Sequence, residues 1–196
     1  EPAEMESYWN LSRSVIPTLY RLEGSLRALP FVEDIAMPPA ALPDFLVTMQ
    51  NVLKSHQVTA SLFAHAGHGQ LHVRTFLDLA NPNHTRRLHA LASDFYQEVW
   101  KMGGTISGEH GDGLSRSSFI AQQYGPLYRT FRDVKRLFDP LGVFNPGKIV
   151  GNDPHLLTNH LRPVTKSPAP VATEISADGS QAEKRNDATL TPVALQ

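Results

Sequence analysis

Two β-rich runs, residues 58–64 and 71–77, are joined by a short connection that holds Gly67 and Gly69. Glycines that close together read as a tight turn, so the two runs are expected to form a hairpin. What surrounds them decides the fold class. Pro43 can open a helix in its first turn, with Phe45, Leu46, Met49 and Leu53 as its buried stripe. Residues 82–102 carry Leu88, Leu91, Phe95 and Val99 on one helical face, and Gly103-Gly104 stops them. Residues 31–37 read as a short strand ended by Pro38-Pro39. Strands and helices alternate without a repeat. The expected fold is α+β, an antiparallel sheet with helices packed on one face.

The ends frame this middle. Residues 4–29 place Leu11, Val15, Ile16, Leu19, Leu22 and Leu26 at helical spacing, interrupted by Pro17 and Gly24. A last helical region covers about 115–138 and closes at Asp139-Pro140. Residues 164–196 contain no aromatic residue and are rich in Ala, Ser, Thr and Pro. They bury too little apolar area to offset the entropy of ordering, so 1–163 is expected as the domain and 164–196 as a disordered tail or linker. The formal charge is only −1 with 19% charged residues, which excludes a polybasic nucleic-acid binder and an acidic tail. The absence of cysteine excludes disulfides, iron–sulfur ligation and thiol catalysis in these residues. No apolar run reaches the roughly 18–20 residues of a spanning helix. The start at Glu1 shows neither Met nor a signal pattern, so the chain is expected to be a slice of a longer protein.

Two segments carry the chemistry. In His65-Ala-Gly-His-Gly-Gln-Leu-His72 the histidines are seven apart, which on one unbroken strand would place them on opposite faces. A turn over 66–71 would instead make His65 and His72 directly opposed residues of a hairpin, a bidentate imidazole site for a divalent metal such as Zn or Mn. The competing reading is a tight turn that happens to contain histidines. The second segment is Ser107-Gly-Glu-His-Gly-Asp-Gly113, whose glycines allow close backbone approach to a ligand. Glu109 could add a carboxylate to the two imidazoles, and His110 is a base with an ordinary pKa near neutrality; otherwise this is a polar loop. His56, His84, His89, His155 and His160 stand alone and read as structural or solvated, while His68 sits in the turn itself. Arg13 and Arg74 are candidate carboxylate clamps or plain surface charges, and Arg74 has Asp78 as an alternative partner.

These pieces, followed by Phe138-Asp-Pro-Leu-Gly-Val-Phe-Asn-Pro-Gly-Lys148 and preceded by Val32-Glu-Asp-Ile-Ala-Met-Pro38, resemble the C-terminal cap domain of FAD-linked oxidases. The resemblance spans about residues 10–150 and points to the D-lactate, glycolate and D-2-hydroxyglutarate dehydrogenases of the vanillyl-alcohol-oxidase flavoprotein superfamily. It implies a ferredoxin-like cap over a flavin held mostly by a separate N-terminal FAD-binding domain. It also implies metal at His65, His72 and Glu109, His110 as the base that takes the hydroxyl proton of a D-2-hydroxy acid, and Asn145 and Lys148 near the flavin. Arg13 and Arg74 would face the substrate. The surplus of cations suggests a second carboxylate, as in D-2-hydroxyglutarate.

Two departures stand out: His68-Gly69-Gln70 replaces the usual Asp-Gly-Asn, and Arg74 replaces a small polar residue. Both resemble a subgroup of large fused proteins that continue into an iron–sulfur region. Such a protein would be cytoplasmic, possibly peripheral at the membrane. An inactive interaction or regulatory module of the same fold is the alternative. A metallohydrolase built on two His and one Glu is weaker, since no His-Glu-x-x-His helix is present.

Overall fold

The computed structural model describes residues 2–151 and 153–161, so the expected tail at 164–196 lies outside the described residues. Helix α1 (Pro2–Tyr20) leads into strands β1 (Arg27–Leu29) and β2 (Ile35–Ala36), then helix α2 (Leu42–Ser55). The hairpin β3 (Ala60–His65) and β4 (Gln70–Leu77) is followed by helices α3 (Pro82–Lys101), α4 (Gly113–Tyr124), α5 (Tyr128–Phe138) and the short α6 (Leu156–Asn159). The fold is α+β, as expected.

The sheet is antiparallel and centred on β4. One edge of β4 pairs with β3 from Gln70 to Thr75. The other edge is covered by two separate pieces: β1 opposite residues 75–77, and β2 opposite Gln70 and Leu71. The single strand expected over 31–37 is therefore wrong in extent. Residues 30–34 face only residues 72–74, a two-residue excess that bows the chain out between the ladders. Pro30 brings no N–H to a ladder, and Asp34 turns through a left-handed conformation (φ 66°). Beyond this edge, Thr105 exchanges backbone hydrogen bonds with Ala36 at 2.7 and 3.0 Å. It stands where the fourth strand of a ferredoxin-like sheet would run.

Alternation along β4 assigns the two faces. Leu71, Val73, Thr75 and Leu77 are at most 1% exposed and point at the helices, where Phe45 of α2 meets Phe95 of α3 edge-on at 5.8 Å. Of the expected stripes, Leu88, Leu91, Phe95, Val99 and Phe45, Met49, Leu53 lie in this core, while Leu46 is only partly buried against it. His72 and Arg74 take the opposite face, which α1 crosses with Val15, Ile16 and Leu19.

The first helical region ends at Tyr20, earlier than its apolar spacing suggests, because Arg27–Leu29 is recruited as β1. The last one is cut in two: Gly125, in a conformation side chains avoid (φ 52°), and Pro126 end α4 and start α5 in a new direction. No helix among the described residues is long and apolar enough to cross a membrane.

Candidate active site

The hairpin closes more tightly than its sequence suggested. A single helical turn over Ala66–His68 ends at Gly69 in the left-handed region (φ 69°), so the ladder starts at His65 opposite Gln70, and His72 faces Phe63. His65 and His72 are thus not directly opposed. The error is two residues in register, and an even shift keeps both histidines on the same face. Their rings sit at 5.1 Å, edge to face, and Phe63, His72 and His110 form a column of rings tilted 29° at each step.

The loop after α3 brings in the other half. Running from the Thr105–Ala36 bridge, it lies against the bow at 30–34, and there Asp34 gathers it. The Asp34 carboxylate accepts the backbone N–H groups of Gly108, Glu109 and His110 at 2.7–3.1 Å, the Ser107 hydroxyl at 3.4 Å and the Gln70 amide at 2.7 Å. Asp34 is fully buried. Burial alone would raise its pKa, but the His110 N–H, the Gln70 amide and the Glu109 N–H together hold it below the usual carboxylate range. Gly108 is required for this approach, since a Cβ there would lie 2.9 Å from Asp34 Oδ1.

Held this way, Glu109 Oε1 becomes the meeting point of three imidazoles. His72 Nε2 is 3.3 Å away, His110 Nε2 3.7 Å and His65 Nε2 4.0 Å. His72 is mostly buried, and its pKa is lowered first by that burial and then by the neighbouring His110. A histidine kept neutral is the form that ligates a metal. Nitrogen donors and a carboxylate at this separation are the kind of group that can hold a metal ion. Asp34 lies within 4.8 Å of the donor atoms of His72, Glu109 and His110. Its oxygens are occupied by the loop's N–H groups, which leaves His72, Glu109 and His110 of this group with donor atoms to offer, while His65, expected as a ligand, lies outside the group at 4.0 Å from Glu109 Oε1.

Glu33, beside Asp34 on the bow, is the residue sequence reasoning missed most plainly. Its Oε2 lies 3.0 Å from Arg74 Nη2 and its Oε1 3.3 Å from His110 Nδ1, with the side chain 7% exposed. Burial pushes its pKa up, against the pull of Arg74, His110 and Arg116. Arg116, also buried, hydrogen-bonds the carbonyls of Glu33 and Gly111 and so ties the bow to the end of the loop. A signal for both acids was present: Glu33-Asp34 interrupts the apolar run Phe31-Val32…Ile35-Ala36, and buried carboxylates require partners.

Above these groups lies a cavity of about 230 Å³, walled by Phe63, His72, Arg74, Glu109 and His110 and roofed by Val15, Ile16 and Leu19 of α1. Arg74 is paired with Glu33, while Asp78 uses its own N–H on His84 Nδ1. Arg13 is not brought to the cavity: it points along α1 to Glu6 at 3.3 Å and is 66% exposed. Asn145 (φ 44°) and Lys148 contact each other on an exposed turn, which Ile149 anchors through its N–H to Ser117 of α4. They do not line the cavity. Of the lone histidines, His56 pairs with Asp94 at 2.7 Å, and His89 stacks on Phe119.

Against known proteins, residues 1–149 match the family of FAD linked oxidases, C-terminal domain. The chain belongs to that family. It is similar to the D-2-hydroxyglutarate dehydrogenase of Pantoea ananatis, at 33% identity over 74% of this chain and 14% of that protein. The D-2-hydroxyglutarate dehydrogenase of Escherichia coli gives 33% over 76% of this chain and 15% of the relative. Glycolate oxidase subunit GlcD of Bacillus subtilis gives 25% over 72% and 29%. The chain therefore spans only a minor part of the length of the curated relatives it matches.

Proposed function

We propose that residues 1–163 form the substrate- and metal-binding half of a flavin-dependent dehydrogenase that oxidises a D-2-hydroxy acid to the 2-oxo acid. The observation that carries this reading is the convergence of His65, His72 and His110 on one oxygen of Glu109 beside a cavity. The family and the relatives' names support the reaction class. When bound, the divalent cation supplies a Lewis acid that lowers the pKa of the substrate hydroxyl. When bound, the flavin supplies the acceptor for the hydride that leaves Cα. His65, His72 and Glu109 would hold the cation. His110 takes the hydroxyl proton, and Arg74 offers its guanidinium to a substrate carboxylate.

Asn145 and Lys148 belong to this reading as groups near the flavin, which a companion FAD-binding domain would present. Leu137, Phe138, Leu141, Val143 and Phe144, on the same stretch as that turn, are 66–86% exposed. So many apolar side chains in one segment suit a partner surface. A downstream iron–sulfur region and a cytoplasmic location are the outer parts of the same proposal. With Arg13 turned to Glu6, Arg74 is the one cation of the pair left at the cavity, and the surplus that suggested a second carboxylate is gone.

Calorimetry on this chain tests the metal half: one divalent ion should bind, and His65→Ala or His72→Ala should abolish binding. Unchanged binding in both variants would remove the proposed centre.

A further inference from the structure

We propose that Glu33 is the positioning residue for the base: its buried carboxylate accepts the Nδ1 proton of His110 and thereby leaves Nε2 free to take the substrate's hydroxyl proton. The inference rests on the role of His110 proposed above and adds what fixes its tautomer. Both ring nitrogens face a carboxylate, at different distances, and the nearer one is Glu33. Nδ1 lies 3.3 Å from Glu33 Oε1, whereas Nε2 points toward the Glu109 end of the cluster, 3.7 Å from Oε1 of that residue. A neutral imidazole has one donor and one acceptor nitrogen, and the partner of one decides the state of the other. An ionised carboxylate only accepts, so a proton opposite Glu33 belongs on Nδ1.

The carboxylate is itself held in place. Burial raises the carboxyl's pKa, and Arg74 Nη2, 3.0 Å from its other oxygen, pulls against that toward the ionised form on which this role depends. Arg116 hydrogen-bonds the Glu33 backbone carbonyl, and Asp34, the next residue, fixes the His110 N–H. The carboxylate sits on the bow at 30–34 and the imidazole on the loop that Asp34 of the same bow holds. Arg74 in this arrangement has two duties, steadying Glu33 and facing the cavity.

The geometry makes a sharp prediction for Glu33→Gln. Its amide carbonyl must turn to Arg74, because a guanidinium only donates, and its NH₂ then meets Nδ1. The proton moves to Nε2, the atom that must be free. Nitrogen-15 NMR of the labelled chain, followed with rising pH until the His110 ring carries a single proton, reads this directly with chelator present. The expected wild-type spectrum shows His110 protonated at Nδ1, and Glu33→Gln reverses the two nitrogens. Flavin reduction by the holoenzyme variant should fall roughly 10²–10⁴-fold, with half-saturation by substrate little changed. An Nε2–H tautomer in the wild type overturns the proposal even if the variant fails to fold, and so does wild-type flavin reduction by a folded Glu33→Gln. The expected spectra in a holoenzyme that no hydroxy acid reduces would support the tautomer lock and overturn the dehydrogenase reading instead.

Discussion

Asp34 shows how one side chain can build a site without entering its chemistry. Three backbone N–H groups, a hydroxyl and an amide converge on its carboxylate, so the positions of Glu109 and His110 depend on its charge. A carboxyl whose folded pKa lies below its unfolded value, about 3.9, adds stability at every pH above that value. The gain is lost as pH falls through the lower folded value. Asp34→Asn should therefore destabilise the chain by about 1.5–3 kcal/mol at neutral pH, the range for hydrogen bonds to a charged group. In denaturant titrations the gap to wild type should shrink below about pH 4. An equal gap at pH 3 and pH 7 would assign the loss to packing instead. The interruption of an apolar run by Glu33-Asp34 signals both residues, but a strand pattern describes which face a residue takes, so their partners were not legible. His65, His72, Glu109 and His110 were legible because their glycine-rich surroundings announce a turn and a loop.

At the scale of elements, the hairpin was readable and its register was not. The connection was taken as 66–71, but the helical turn Ala66–His68 closes it at Gly69. Only local turn geometry distinguishes the two, and both leave the histidines on one face. The same geometry makes Gly69 irreplaceable. A Cβ at that position would lie 1.9 Å from the Met37 carbonyl oxygen, in a backbone conformation that costs another residue about 1–2 kcal/mol before any clash. Gly69→Ala should lower stability by more than about 2 kcal/mol and disturb the proposed metal site with it. Thermal unfolding alongside metal calorimetry checks both effects. A variant with wild-type stability would mean that the turn is free to rearrange. Helices α2 and α3 were legible in full from their stripes, since their burial follows directly from the 3.6-residue period. The break at Gly125-Pro126 was visible in composition but masked by apolar residues on both sides.

Across the whole molecule, the sheet separates two tasks. One face supplies the packed core with α2 and α3, and the other presents His72, Arg74 and their partners beneath α1. The exposed apolar residues of 134–149 lie outside that core. If a flavin-binding domain covers them, their backbone amides should exchange more slowly in the holoenzyme than in the chain alone; equal exchange would place the domain contact elsewhere.

In the proposed reaction His110 is the base for a hydroxy acid while flavin binding lies with another domain. Stopped-flow flavin reduction in the holoenzyme reads it most directly, wild type against His110→Ala, at matched flavin content. In His110→Ala the reduction rate should fall about 10²–10⁴-fold while flavin content stays unchanged. A variant that reduces its flavin at the wild-type rate would contradict it.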